Sequence, residues 1–165
     1  MSKFEEICAA YKVSKDKYNT YRTESMDFAV SFGRKYIQYL GLEKQYFRWV
    51  PEDDQNTAST GITIPGAMHL DDDSYWHLGL KIRVFSAPNV MPQQDLLIIF
   101  MFKKVANGEF AIKIRDDDKP HIIEMDKDAS YTVFFSYLQK LILDIYQDDL
   151  EDFLQSEKSS RRIGF

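Results

Sequence analysis

Between Trp76 and Phe85 the side chains change character at every step: Trp76, Leu78, Leu80, Ile82 and Val84 alternate with His77, Gly79, Lys81, Arg83 and Phe85. A period of two belongs to an extended chain with one buried and one mostly polar face, because a helix would scatter the same residues around its axis. A strand of this kind needs hydrogen-bonding neighbours, so the rest of the chain must supply a sheet. Leu96 to Phe102 is apolar without interruption. That run is far shorter than the roughly 20 residues of a membrane helix, and it reads as a central strand covered on both sides.

The connections favour antiparallel pairing. Asn107-Gly108 is the usual dipeptide of a tight hairpin, and Phe110, Ile112 and Ile114 alternate beyond it. A two-residue loop would set Lys103 opposite Ile112, whereas a bulged loop would set Phe102 there. The bulge is favoured, because it gathers Phe100 and Phe102 on the isoleucine face. Asp116 to Pro120 reads as a turn and His121 to Met125 as a further strand. Tyr46 to Val50, ended by Pro51, and Ile62 to Leu70, interrupted by Pro65 and Gly66, read as edge strands.

Helical periodicity flanks this region. Ser2 and Glu5 form a capping box ahead of Phe4, Ile7, Cys8 and Tyr11, which makes a first helix with Cys8 as a core thiol. A second helix is predicted from Lys15 to Leu40, capped by Ser14 and stopped by Gly41. A C-terminal helix runs from Ala129 to Tyr146, and Asp148 with Glu151 would cap a separate short helix after a break near Gln147. The expected fold class is α+β: two N-terminal helices, an antiparallel sheet of about six strands, and a C-terminal helix packed on it. Residues 1–157 read as one domain and 158–165 as a short, flexible basic tail.

Composition narrows the functional classes. The chain has 165 residues, 44% of them hydrophobic and 24 of them aromatic, enough to form a core without disulfide staples. One cysteine and no signal-peptide pattern point to a reducing compartment, with a cytoplasmic location expected and no membrane partner. The net charge of −5 is unevenly spread. Residues 1–49 carry +3, residues 50–115 carry −2 and residues 116–165 carry −6. Gly61 and Gly66 have the spacing of a phosphate-binding loop, but Ala67-Met68 stands where Lys and Ser or Thr are needed. Dinucleotide, acyl-transfer and zinc-hydrolase signatures are absent, and no cofactor is expected.

The leading expectation is a non-enzymatic protein-binding or accessory protein, of the size and charge of immunity, inhibitor or chaperone proteins, with another protein or a second copy as partner. Its contacts would be the aromatics Tyr18, Tyr21, Tyr36, Tyr39 and Trp49 and the acidic stretch Asp144, Asp148, Asp149, Glu151 and Asp152. One alternative is a metal-dependent hydrolase or nuclease. If the strand at Leu70 continued, His69, Asp71 and Asp73 would share a face, with His77 close behind. The favoured reading makes the three aspartates a solvated hairpin turn, since Asp favours turns and is depleted in strands. A second alternative is a nucleic-acid-binding sheet face of Lys81, Arg83, Lys113 and Arg115, which the pI of about 5.2 disfavours.

Overall fold

The structure, a computed structural model, describes residues 1–53, 62–87 and 90–155, with side chains described as far as Gln147. Helix α1 spans Lys3–Leu40 and a 3₁₀ turn at Lys44–Tyr46 leads into β1, Phe47–Val50. The short helix α2, Ile64–Ala67, precedes β2, His69–Leu70. Then follow β3 (Trp76–Ala87), β4 (Val90–Ala106), β5 (Glu109–Ile114), β6 (His121–Glu124) and helix α3 (Asp128–Gln155). The molecule is α+β, with six antiparallel strands in the order β1-β3-β4-β5-β6 and β2 beside β1's neighbour β3. Among the described residues, no helix is long and apolar enough to cross a membrane.

The sheet obeys the alternation in the sequence. Trp76 faces Phe102, Leu78 faces Phe100 and Leu80 faces Ile98 across β3 and β4. Phe100 faces Ile114 and Phe102 faces Ile112 across β4 and β5, with the register shifting between Lys104 and Ala106. The hairpin therefore has the bulged register. Ile99 and Met101 are also buried on the opposite face of β4, so the central strand is covered on both sides.

Helices α1 and α3 lie on the even-numbered face of β3 and β4. Phe28 stacks on Phe110 with ring centroids 4.2 Å apart, and Phe32 meets Phe100 edge-on at 5.0 Å. Phe135 of α3 packs 5.1 Å from Tyr36, and Phe134 lies 6.5 Å from Phe100. These interlocked rings form the core, where each large aromatic buries on the order of 150–250 Å².

The helices differ from the sequence reading in three places. One continuous helix of 38 residues replaces the two expected at the N-terminus. Ser14, expected to cap a second helix, is an ordinary helical residue, because the apolar stripes on either side of it are in register. Cys8 is exposed and is no core thiol. Ile62 to Leu70 is an edge strand only at its last two residues. Thr63 caps one turn of helix by accepting a hydrogen bond from the Gly66 N–H, and Pro65, which has no N–H to lose, fits in that first turn. At the C-terminus, α3 runs unbroken through Gln147 to Gln155, so the short helix capped by Asp148 does not form. The tail expected at 158–165 lies outside the described residues.

Gly33 marks the tightest approach of α1 to its surroundings. A Cβ there would come 2.6 Å from Ile64 Cδ1 and 2.8 Å from Trp49 Cζ2. A helix-interior Gly→Ala change ordinarily stabilises by roughly 1 kcal/mol. Here overpacking reverses the sign, and Gly33→Ala is expected to lower stability by about 1–3 kcal/mol in urea unfolding.

Tyr36, expected at a partner surface, is fully buried, and its hydroxyl has no hydrogen-bond partner among the described residues. Burial raises its pKa far above the ordinary phenol value, with Tyr39 adding to the effect. Tyr36→Phe removes an unsatisfied polar atom and is expected to leave the melting temperature unchanged or higher. Tyr36→Ala is expected to cost about 3–5 kcal/mol in the same assay, like other buried aromatic truncations.

Candidate metal centre and a free helix face

The odd-numbered face of β3 carries His77, Gly79, Lys81 and Arg83, and the register sets His77 opposite Met101 and Met101 opposite Lys113. β2 pairs with β3 so that His69 lies beside His77, the two rings 5.2 Å apart. After Leu70 the chain turns instead of continuing as a strand. Asp71 N–H bonds to Tyr75 O, Tyr75 N–H bonds to Asp73 Oδ1, and Ser74 takes a φ of 66°. The three aspartates thus belong to a turn, and the turn brings Asp71 and Asp73 back over His77.

His77 is the buried member of this group, with its side chain 5% exposed. Nε2 lies 2.9 Å from Asp73 Oδ2 and 3.8 Å from Asp71 Oδ2. Nδ1 lies 2.5 Å from Glu52 Oε2 and makes no hydrogen bond among the described residues. Glu52 follows β1 by two residues and reaches both histidines, His69 Nε2 at 3.6 Å. Its other oxygen, Oε1, accepts a 2.7 Å hydrogen bond from Arg115 Nη1. Burial opposes the charge on Asp73. The Tyr75 N–H and the His77 ring, with the positive charge of His77 and Lys113, outweigh it and hold the carboxyl below its usual range.

Glu52, His69, Asp71 and His77 each offer one ligand atom, and the four atoms lie within 4.8 Å of one another. The sequence suggested three members of this set. Asp73 is displaced from it into a hydrogen bond with His77, and Glu52 takes its place. Only the pairing of β1 with β3, in which Val50 faces Gly79, brings Glu52 here. A Cβ on Gly79 would come 2.6 Å from the Val50 carbonyl oxygen, so this position admits no side chain without moving the strand that carries Glu52.

Lys81, Arg83, Lys113 and Arg115 occupy the same side of the sheet, as the alternation of β3 and β5 requires. Arg83 pairs with Asp95 at 3.7 Å, Lys113 lies 5.0 Å from the Tyr75 ring centre and Arg115 is held by Glu52.

The second notable surface is on α1. Residues 1 to 20 are exposed throughout, and Tyr21 is the first to touch the body, 6.2 Å from Trp76. Phe4, Ile7, Tyr11, Ser14, Tyr18, Tyr21, Ser25, Phe28 and Phe32 follow one another at alternating steps of three and four, which is the heptad pattern of a packing seam. The last three are in the core, whereas Phe4, Ile7 and Tyr11 are 72%, 66% and 66% exposed. Among the other expected contact residues, Tyr18, Tyr39 and Asp144 are exposed and Tyr21 is half-buried. Trp49 is buried against α1, so it offers no partner surface. The side chains of Asp148, Asp149, Glu151 and Asp152 lie outside the described residues.

Comparison with protein-family models, with curated proteins and with solved structures returns no match.

At the far edge of the sheet His121 sits 4.5 Å from the Tyr137 ring, whose hydroxyl donates to Asp117. Burial, and then the charge of Lys119, pull the His121 pKa down, against a backbone hydrogen bond and Asp117. The unfolded chain therefore takes up this proton first as the pH falls through about 6.5. The contribution is fully present above that value and is lost toward the folded-state pKa. Chemical denaturation between pH 7.5 and 5.5 is expected to show a steeper loss of stability in the wild type than in His121→Gln.

Proposed function

We propose that this chain is a protein-binding protein that pairs with a second copy of itself through the projecting N-terminal half of α1. The observation that carries the reading is the unbroken seam from Phe32 out to Phe4, packed at one end and bare at the other. A helical stretch of about 20 residues without tertiary contacts is marginal in water. The capping box at Ser2 and the Lys12–Asp16 pair support it only by tenths of a kcal/mol to about 1 kcal/mol each.

Area and charge support a copy of the same chain as occupant. Phe4, Ile7, Tyr11 and Tyr18 together expose roughly 500 Å² per copy, so a pair would cover about 1,000 Å², the lower bound for a specific interface. In a parallel pair, Lys17 would face Arg22 of the other copy on both flanks of the seam. An antiparallel pair avoids this. Phe4 then packs beside Tyr21 of the other copy, Ile7 beside Tyr18 and Tyr11 beside Ser14, and Lys3 faces Glu24. This orientation also keeps the two bodies at opposite ends.

Sedimentation velocity is expected to give a dimer for the wild type, and a monomer for Ile7→Glu/Tyr11→Glu with an unchanged melting temperature for the body. A spin label on Cys8, the only cysteine, tests orientation. The 1.5 Å rise and a helix spacing of 8–10 Å place the two Cys8 Cα atoms about 17 Å apart in the antiparallel pair and about 10 Å apart in a parallel one. A wild-type monomer at high micromolar concentration would overturn the reading.

A further inference from the structure

We infer that Glu52, His69, Asp71 and His77 form a binding site for a divalent transition-metal cation of the Zn²⁺ type, independent of the helix seam and on the opposite face of the sheet. Two imidazole nitrogens and two carboxylate oxygens are a borderline donor set that suits Zn²⁺, Mn²⁺ or Fe²⁺, whereas Mg²⁺ and Ca²⁺ prefer oxygen alone. Four protein ligands make a closed site, which is the structural rather than the catalytic form.

Two observations point to a ligand beyond the clustering. The first is His77 Nδ1, buried and without a hydrogen-bond partner among the described residues, with Glu52 Oε2 2.5 Å away. In the tautomer whose Nε2–H donates to Asp73, Nδ1 is an acceptor facing Glu52 Oε2, so the two atoms are placed to share one cation. The second is Asp73, which takes the place that a supporting carboxylate has behind a metal-bound histidine, where it fixes the tautomer and the ring orientation. Arg115 does the same for Glu52 by binding the oxygen that does not face the histidines.

The spacing is close to what coordination needs. Ligand atoms about 2.0–2.2 Å from a tetrahedral zinc lie about 3.3–3.6 Å from one another. Glu52 Oε2 and His69 Nε2, 3.6 Å apart, already meet this. Glu52 and His77 need to open by about 1 Å from their 2.5 Å contact, and Glu52 stands at the start of the segment that leaves β1.

The test is equilibrium dialysis and calorimetry with Zn²⁺ alone and with Mn²⁺ alone, on full-length tag-free protein carrying Cys8→Ser to remove the exposed thiol. The expected result is one Zn²⁺ per chain at micromolar affinity or tighter, with a higher melting temperature. His69→Ala and Asp71→Asn, both exposed enough to leave the apo-protein's melting unchanged, are each expected to weaken binding at least about tenfold. Asp73→Asn is expected to weaken it about tenfold without abolishing it. In proton NMR the His69 and His77 ring signals should shift with one equivalent of Zn²⁺. Neither metal binding at one equivalent in the micromolar range, or Zn²⁺ binding unchanged in the His69→Ala/Asp71→Asn double variant, would overturn the site.

Discussion

The pairing of β3 with β4 is the constraint on which the rest of the molecule depends. It runs from Trp76 opposite Phe102 to Ala87 opposite Val90, and it is the most extensive contact between any two elements. Because side chains alternate along a strand, this one register decides the composition of both faces. One face collects Trp76, Leu78, Leu80, Ile98, Phe100 and Phe102 and accepts the aromatics of α1 and α3. The other collects His77, Gly79, Ile99 and Met101. A slip of one residue would drive His77 and Lys81 into the aromatic layer, where an unpaired charge costs several kcal/mol. The core and the candidate metal centre are therefore consequences of the same hydrogen-bond ladder.

What could be read from the sequence was whatever the local pattern decides. The alternation at 76–85, the Asn107-Gly108 hairpin and the helical period of 129–146 each act over a few residues, and each has its counterpart in the structure. The bulge was also legible, since only it places Phe100 and Phe102 with the isoleucines. Ser14 shows the limit in the other direction. A serine ahead of an apolar stripe is a good cap, but whether the helix starts there depends on the phase of the stripe before it, and the two phases match. Thr63-Ile64-Pro65-Gly66 shows the same competition at short range, where a threonine cap and a proline at the first turn prevail over β-branched neighbours.

The candidate metal centre was half legible for a physical reason. His69, Asp71, Asp73 and His77 are close in sequence, so their proximity survives almost any local conformation. Glu52 and Arg115 are 25 and 38 residues away from His77. They arrive only through long-range strand pairing, and no local signal marks either of them. The turn at Asp71–Asp73 was legible as the favoured reading; the continued strand on which the metal alternative rested does not occur, and the chain reversal at Ser74 brings the aspartates to His77 instead.

The two surfaces differ in how strongly they are held, and this shapes how each can act. His69 and His77 sit on strands tied into the sheet and Glu52 is held by Arg115 just after β1, so a ligand there meets side chains that are already gathered. The N-terminal half of α1 has no such support, and helices without tertiary contacts open with free energies near zero. Its helicity is then linked to whatever covers the seam. A partner that binds only the helical form stabilises it by mass action, more so as concentration rises. Where α1 meets the body, Lys104 holds Glu24 at 2.6 Å and Tyr21 rests on Trp76, so the boundary between the packed and the bare half is pinned within one turn. Phe28 and Phe32 lie beyond these contacts, so opening of the arm as far as Thr20 removes none of their ring contacts in the aromatic core.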